Sequence, residues 1–198
     1  MISENRKSKT SVVVLFGGES AEHDVSCVTA AHVLRALDPQ KYEVSTVGIT
    51  RAGQWVQSEL PQSRDVKALN ATGAATSANM IFENSSDDSS LVVIPLLHGP
   101  MGEDGTVQGL LELAHVAYVG SGVLGSAVAM DKSIAKQVMS ANGIAQQKFL
   151  TVRDTDDANS AIDRAIKDLG LPMFIKPANM GSSIGVSKVK TRQEAISA

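Results

Sequence analysis

Two uninterrupted apolar runs, at residues 12–16 and 91–97, constrain the fold of this 198-residue chain more than any other feature. A strand of a parallel sheet that is covered by helices on both faces is apolar along its whole length. Apolar residues at helical spacing follow each run, from Val28 to Leu37 and from Val107 to Ala114. This alternation of strand and helix predicts an α/β domain, a parallel sheet flanked by helices.

The character of the sequence changes near residue 121, and we expect a domain boundary there. Residues 1–121 would form the α/β domain, and residues 122–198 would form part of a second, α+β domain. The second segment predicts, in order, a helix over 131–142, a strand over 148–152, a helix over 156–169, and strands over 173–176 and 186–189. Residues 70–79 and 84–90 are small and polar, and are predicted as loops.

Composition limits the classes of function. The chain has a net charge of −3 and only four Phe, two Tyr and one Trp, which argues against a protein that tracks phosphates or stacks on bases. Cys27 is the single cysteine, so an intrachain disulfide is excluded and a reducing compartment is favoured. The apolar run at residues 12–16 is too short for a membrane span or a signal peptide. We therefore expect a cytoplasmic protein that acts on small molecules, without nucleic-acid or membrane partners.

The last residues predict the start of a further helix. Thr191 and Glu194 have the spacing of a capping box, in which each side chain satisfies a backbone amide of the first turn. Only a few residues follow, too few for a helix that is stable by itself. The strand pair before it would also lack a third strand, and a lone hairpin is only marginally stable. We therefore expect the sequence to be a fragment.

One group of candidate site residues follows the two apolar strands. Glu22 comes shortly after the first strand, His98 directly follows the second, and Glu103 and Asp104 lie in the glycine-rich loop beyond it. Ligands of open α/β sheets bind outside the carboxyl ends of the strands, so these segments are expected to converge. The alternatives are that Glu22 is a solvated loop carboxylate and that His98 is a satisfied histidine at a strand end.

A second candidate is the small-residue loop after Lys176, which contains Gly181, Ser182 and Ser183. Amides of a glycine-rich turn can cradle an anion, and a lysine adds a point charge for a phosphate. The loop is not a Walker A motif, because G-x-x-x-x-G-K-[ST] is absent. It predicts a phosphate flap between two antiparallel strands, and the alternative is an ordinary glycine-rich hairpin. Lys132, at a predicted helix start, would be a second phosphate contact or a surface lysine.

Residues 120–125 match G-x-G-x-x-G, the pattern of a dinucleotide-binding turn. The strand before the match is only about three residues long, and no acidic residue lies between Asp131 and Asp154, where a ribose-binding carboxylate is expected. We therefore interpret residues 120–125 as a flexible turn between domains.

Together, four segments resemble the D-alanine–D-alanine ligases of the ATP-grasp superfamily. They are LFGGESAEHDVS at residues 15–26, HGPMGEDG at 98–105, MDK at 130–132 and KPANMGSS at 176–183. The resemblance spans residues 12–190. It implies a Rossmann-like, pre-ATP-grasp domain at the N-terminus, followed by an incomplete ATP-grasp central domain.

The resemblance also implies a reaction, in which ATP phosphorylates the carboxylate of a first D-alanine. The amine of a second D-alanine attacks the acyl phosphate, and the dipeptide enters peptidoglycan synthesis. The resemblance further implies a cytoplasmic homodimer that needs Mg²⁺. The ligands of Mg²⁺ are expected beyond Ala198, so no metal ligand is assigned in this chain and the fragment alone is expected to be inactive.

The resemblance assigns roles to matching residues. Glu22 would bind the ammonium of the first D-alanine, His98 would lie near its carboxylate and the transferring phosphate, and Glu103 would support that network. Ser182 would orient active-site groups together with Glu22. The residues expected to bind ATP are Lys132, Lys176, Gly181, Ser182 and Ser183.

Other functions stay open from the sequence. A different ATP-grasp carboxylate–amine ligase would keep Lys176 and the flap, but would not need the segments of Glu22 and His98. A non-catalytic nucleotide-binding or dinucleotide-binding module would be built on residues 120–125. A truncated chain that acts only as a dimerisation partner is the third alternative.

Overall fold

The computed structural model describes residues 9–83 and 91–198. The chain divides into two compact units, Met1–Ala127 and Val128–Ala198. The border between them falls inside a helix, α4 (Val123–Met130). The domain boundary near residue 121 stays a prediction, and the loop predicted at residues 84–90 lies outside the described part of the chain.

A six-stranded sheet forms the first unit, in the order β4-β3-β2-β1-β5-β6. The strands are β1 (Thr10–Gly17), β2 (Tyr42–Ile49), β3 (Trp55–Ser58), β4 (Gly73–Ala75), β5 (Val92–Pro95) and β6 (Ala117–Tyr118). The four strands β2, β1, β5 and β6 are parallel, which confirms the predicted parallel sheet. β3 and β4 extend it with antiparallel pairs, so the sheet is mixed.

The central strand β1 is buried on both faces, as its continuous apolar sequence predicts. Val13 and Leu15 face a cluster that includes Ile81 and Leu111, whereas Val12, Val14 and Phe16 face the opposite cluster. The second cluster is completed by α1 (His23–Ala36), and the first by α2 (Asn79–Glu83) and α3 (Thr106–Leu113). Helices therefore flank the sheet on both sides.

The prediction of a loop over residues 70–79 is wrong, because β4 lies inside it and α2 begins at its end. β4 has three exposed residues, and it is held by backbone hydrogen bonds to β3, continued by the Thr76 amide, which donates to the Trp55 carbonyl at 2.9 Å. Pairing of this kind needs no apolar side-chain pattern, so the sequence carried no signal for it.

The second unit contains α5 (Lys132–Ala141), α6 (Ala158–Leu169), β7 (Met173–Ile175), β8 (Ser187–Val189) and α7 (Arg192–Ser197). β7 and β8 are antiparallel, as predicted for the strands beside the flap. Each of the three helices starts at a residue whose side chain accepts a backbone hydrogen bond: Asp131, Asp157 and Thr191. The helix predicted from the capping box at Thr191 is confirmed, and Glu194 completes it by accepting the Lys190 amide at 2.7 Å.

The prediction of a strand over residues 148–152 is wrong, because this segment is irregular. In the described part of the second unit the sheet consists of β7 and β8 alone, so the segment pairs with neither. It is held instead by a side-chain hydrogen bond between Thr151 Oγ1 and Ser133 Oγ, at 2.7 Å. Among the described residues, no helix is both long and apolar enough to cross a membrane.

Candidate functional site

A tight glycine turn at the end of β1 directs the chain over the carboxyl edge of the sheet. Gly17 and Gly18 both have a positive φ, and a side chain at Gly17 would collide with the Ile49 carbonyl. The Gly18 amide donates to that carbonyl at 2.8 Å, and the Gly18 carbonyl lies 2.7 Å from His23 Nδ1. The turn therefore requires glycine, and it places Glu22 at the start of α1.

Three hydroxyl groups join this segment to the end of β5. Ser20 Oγ donates to the His98 carbonyl at 2.7 Å, and Ser26 Oγ accepts the Gly17 amide at 2.7 Å and donates to the Leu96 carbonyl. Thr29 Oγ1 lies 3.2 Å from His98 Nε2. The segments of Glu22 and His98 thus converge, as predicted from their positions after parallel strands. The sequence analysis did not single out these hydroxyl groups. The available signal was that Ser26 and Thr29 are three residues apart, and so lie on one face of a helix that packs on the sheet.

Glu22 is buried, with 9% of its surface exposed, so the alternative of a solvated loop carboxylate is wrong. Its carboxylate lies against Gly99: a Cβ atom built on Gly99 would be 2.7 Å from Glu22 Oε2. The Glu22 amide donates to Ser20 Oγ at 3.2 Å. A carboxylate in such a buried position can bind a cationic group strongly, because attraction between opposite charges is stronger away from water.

His98 and Glu103 lie together on the other side of Gly99. Glu103 Oε2 accepts the Gly99 amide at 2.7 Å, and Glu103 Oε1 lies 4.0 Å from His98 Nδ1. The side chain of His98 is 27% exposed and that of Glu103 is 52% exposed, so both reach solvent. The backbone of Gly99 therefore separates two carboxylates, one buried beside Ser20 and one exposed beside the imidazole.

Asp104 shapes the loop. It accepts the Met101 amide at 2.8 Å and the Thr106 amide at 3.0 Å. Partial burial would raise the pKa of Asp104, but these hydrogen bonds outweigh it and lower the pKa below its ordinary value. Asp104 is therefore ionised near neutral pH, and it holds the glycine-rich loop against the start of α3.

An apolar cleft of about 270 Å³ adjoins the same loop. Trp55, Leu97, Met101 and Leu110 line it, together with Ser20 and His98. The sequence did not indicate this cleft, because its walls come from β3, the loop and α3, which are far apart along the chain.

In the second unit, the predicted flap contains a turn with two strained residues. Ser182 and Ser183 have φ angles of 46° and 60°, and the Ile184 amide donates to the Gly181 carbonyl at 3.0 Å. Two consecutive non-glycine residues in the left-handed region are uncommon, and such strain concentrates at functional sites. Two consecutive positive φ angles also occur in the type I′ turn of ordinary hairpins, so the phosphate flap and the glycine-rich hairpin both stay predictions for this loop.

Lys132 is the first residue of α5, as predicted, and it holds the flap. Its ammonium donates to the Met180 carbonyl at 2.5 Å and lies 3.3 Å from the Ala178 carbonyl. Its backbone amide also donates to the Ala178 carbonyl, at 3.0 Å. Lys132 is therefore part of the loop's own structure rather than a loose surface lysine.

The exposed face of the β7–β8 hairpin combines positive charge with an aromatic ring. Phe174 is 59% exposed and pairs with Lys188 in the ladder. The ammonium groups of Lys176 and Lys188 lie 5.8 and 5.9 Å from the centre of its ring. The sequence analysis named Lys176 but missed Phe174 and Lys188, although strand alternation could have placed all three on one face. A cationic face with a ring suits an anionic aromatic ligand such as a nucleotide.

The interpretation of residues 120–125 as a flexible turn is wrong for Val123 and the residues after it, which form α4. The Ser126 amide donates to the Gly122 carbonyl at 3.0 Å, so the helix closes directly behind Gly122. The Leu, Ala and Met residues after Gly122 favour a helix more than its one glycine, Gly125, opposes it.

The residues described here do not form a metal site. Within residues 9–83 and 91–198, no three His, Cys, Asp or Glu side chains lie close enough together to hold a metal ion. No step is therefore assigned to Mg²⁺ at these residues.

Comparison with known proteins agrees with the fold. The family described as D-ala D-ala ligase N-terminus matches residues 11–121, and the one described as D-ala D-ala ligase C-terminus matches residues 138–198. The chain is 44% identical to the D-alanine–D-alanine ligase of Geobacillus kaustophilus, over 93% of this chain and 54% of that protein. It is 43% identical to the ligase of Kineococcus radiotolerans, over 93% of this chain and 55% of that protein.

Solved structures give the same result. The D-alanine–D-alanine ligase of Coxiella burnetii superposes with a TM-score of 0.78 at 30% identity, covering 96% of this chain and 60% of that one. The VanG D-Ala:D-Ser ligase of Enterococcus faecalis superposes with a TM-score of 0.75 at 30% identity, covering 96% and 58%. The chain therefore belongs to the D-alanine–D-alanine ligase family. It spans about half the length of the curated relatives that it matches.

Proposed function

We propose that these 198 residues carry the amino-acid site and part of the nucleotide site of an ATP-dependent D-alanine–D-alanine ligase. The observation that carries the proposal is the buried Glu22 carboxylate, which lies against Gly99, the residue that follows His98 and whose amide binds Glu103. An amino acid offers an ammonium and a carboxylate on one carbon, and these converging segments offer a buried carboxylate at Glu22 and an imidazole at His98. The family match supports the same assignment.

In the proposed reaction, the carboxylate of the first D-alanine takes the terminal phosphoryl group of ATP and becomes an acyl phosphate. Glu22 binds the ammonium of this D-alanine, and His98, supported by Glu103, lies near its carboxylate. The amine of the second D-alanine then attacks the carbonyl carbon, and phosphate leaves. Positioning and charge neutralisation supply most of the catalysis in such a phosphoryl transfer.

The second unit would bind ATP. Lys176 contacts phosphate oxygens from the cationic face of the hairpin, and the amides of the flap from Gly181 to Ser183 cover the phosphates. Ser182 orients groups around the transferring phosphate. Lys132 donates to the flap carbonyls of Met180 and Ala178, and the third N–H of its ammonium is the donor that would contact a phosphate oxygen.

The wider role follows from the family rather than from the geometry. The dipeptide product would supply peptidoglycan synthesis and so cell-wall formation and cell shape. The complete protein would be a cytoplasmic homodimer that uses Mg²⁺ bound by residues outside this chain. We expect the 198 residues alone to show no ligase activity, since they span about half of their relatives.

The proposal is tested with Glu22→Gln in the complete protein, meaning these residues with whatever coding sequence follows codon 198. Gln keeps the size of the side chain and removes its charge. We expect the affinity for the first D-alanine to fall by about 1.5–3 kcal/mol, roughly tenfold to a hundredfold, because a charge-assisted hydrogen bond is lost. The KM for ATP should change little. Phosphate release that depends on D-alanine is the measurement.

Glu43→Gln is the matched control, because Glu43 is an exposed carboxylate on β2. It should leave both substrates unaffected. Equal losses for D-alanine and ATP in Glu22→Gln would contradict the role of Glu22. A gene that stops at codon 198, or a complete protein without D-alanine-dependent phosphate release, would contradict the proposed activity.

The identity of the second amino acid is a separate question, because one similar structure is a D-Ala:D-Ser ligase. A panel of second substrates that includes D-alanine, D-serine and D-lactate would decide it. A panel of other amines and carboxylates would reveal a different carboxylate–amine ligase.

A further inference from the structure

Thr29 links α1 to the imidazole of His98. Its hydroxyl oxygen lies 2.9 Å from the Val25 carbonyl, one turn earlier in the helix, and 3.2 Å from His98 Nε2. Neither the sequence analysis nor the proposed reaction assigns it a role.

The Thr29 hydroxyl has one proton to donate, and the acceptor of that proton decides which imidazole nitrogen of His98 is protonated. A carbonyl oxygen can only accept, so the contact with Val25 uses the single hydroxyl proton of Thr29. Threonine side chains within helices commonly donate to the carbonyl four residues earlier, and this contact is the shorter of the two. The hydroxyl oxygen is then left as an acceptor, and Nε2 of His98 must donate to it.

The other nitrogen of His98 faces a different group. Nδ1 lies 4.0 Å from Glu103 Oε1, beyond hydrogen-bond distance, and Glu103 Oε2 is already engaged by the Gly99 amide. With Nε2 held as a donor, the neutral ring has no proton on Nδ1, the nitrogen on the side of Glu103.

We propose that Thr29 is a positioning residue that holds His98 in its Nε2–H tautomer and fixes the plane of the ring. Its importance for catalysis rests on the proposed function, in which His98 lies near the first D-alanine, whereas the tautomer itself does not. Two measurements therefore separate the two ideas.

The tautomer is measured by ¹⁵N NMR of the histidine rings in the 198-residue chain, at a pH well above the ordinary histidine pKa of about 6.5. His98→Gln assigns the signals among the four histidines of the chain. We expect wild-type His98 to have a protonated Nε2 and an unprotonated Nδ1. In Thr29→Val, which keeps the shape of the side chain, the ratio of Nε2–H to Nδ1–H should fall about fivefold, the loss of one neutral hydrogen bond. Thr29→Ser should retain the wild-type ratio.

Wild-type His98 that is mainly in the Nδ1–H form would overturn the proposal, and so would a Thr29→Val chain with the wild-type ratio. If Thr29→Val does not fold, a shifted ratio in Thr29→Ser, which preserves the hydroxyl, would also count against it.

The second measurement is kinetic and uses the complete protein. Thr29→Val should lower kcat about fivefold with an unchanged KM for ATP, and Thr29→Ser should restore kcat. An unchanged kcat in Thr29→Val, in an active enzyme, would overturn the positioning role. A complete protein without ligase activity but with the expected tautomer would contradict the proposed function and leave the assignment of the tautomer standing.

Discussion

Gly99 contacts two carboxylates of the candidate site, those of Glu22 and Glu103. Its φ is +75°, its amide donates to Glu103, and a Cβ at this position would be 2.7 Å from Glu22 Oε2. Glycine is needed here both for the backbone conformation and for the close approach of Glu22. At the residue scale, one added methyl group at Gly99 is therefore enough to displace the Glu22 carboxylate.

We predict that Gly99→Ala weakens the binding of the first D-alanine at least tenfold in the complete protein, because the added methyl displaces the Glu22 carboxylate. Gly143→Ala is the control, since Gly143 has a φ of +73° with no atom within 4 Å of an added Cβ. It should cost about 1 kcal/mol of stability through the left-handed backbone alone and leave D-alanine binding intact. If both variants bind D-alanine equally well, the contact with Glu22 is not important.

The turn of the flap stores strain at Ser182 and Ser183. We predict that Ser183→Gly raises the free energy of unfolding by up to about 1 kcal/mol, because glycine adopts a positive φ without steric penalty. Ser183→Ala is the matched variant, since it removes the same hydroxyl and keeps the strain. Both should weaken ATP binding in the complete protein, but only the glycine variant should be stabilised. Urea denaturation of the 198-residue chain gives the comparison, and equal stabilities would show that the turn is unstrained.

Among the elements, α5 connects helix capping to the candidate nucleotide site. Asp131 accepts the amides of Ser133 and Ile134 at 2.8 and 3.0 Å, and the helix that it caps starts with Lys132, which holds the flap. A good N-cap lowers the free energy of the first turn, so the position of Lys132 depends on Asp131.

We predict that Asp131→Ala lowers the free energy of unfolding by about 1 kcal/mol, the usual value of an N-cap. It should also speed hydrogen exchange at the flap amides, since the anchor of Lys132 loosens. Asp154→Ala removes the same charge from an exposed loop position and should change neither quantity. If Asp131→Ala is destabilised but hydrogen exchange at the flap amides is unchanged, the cap does not control the flap.

The elements also show what the sequence could predict. β1 could be predicted because its continuous apolar run is buried on both faces, and α7 could be predicted from its capping box. α5 and α6 could be predicted because a glycine follows each predicted helix and α6 has an apolar side. β4 could not be predicted, because it pairs through its backbone while its three residues stay exposed. In the site, Glu22, His98 and Glu103 could be placed from strand order. Phe174 and Lys188 were missed although strand alternation could have placed them beside Lys176. The contact of Thr29 with His98 could not be predicted, because it depends on a distance between segments that are remote in sequence.

On the scale of the whole molecule, the two units have unequal cores. Among the described residues, the first unit has buried clusters of eleven and eight residues on the two faces of its sheet, whereas the cluster of the second unit has four. Stability rises with the apolar surface that a unit removes from water, so the second unit should be much less stable by itself.

We predict that residues 1–127, expressed alone, fold cooperatively with native-like NMR dispersion, and that residues 128–198 alone do not. Circular dichroism and urea denaturation of both pieces check this. A cooperative transition for residues 128–198 would show that the buried cluster of four residues and the helix caps are sufficient for folding.

The sheet of the first unit carries one natural reporter on each face. Trp55, the only tryptophan, packs against the cluster that contains Val13 and Leu15, and Cys27, the only cysteine, belongs to the cluster that contains Val12 and Phe16. Burial raises the pKa of the Cys27 thiol, and Asp24 raises it further against the opposing effect of Arg51, so the native thiol should resist labelling. Fluorescence and thiol labelling can therefore follow the two sides of one sheet in a single unmodified chain. Coincident transitions of fluorescence and thiol labelling would mean that both faces of the sheet unfold together. Separate transitions would show which face unfolds first.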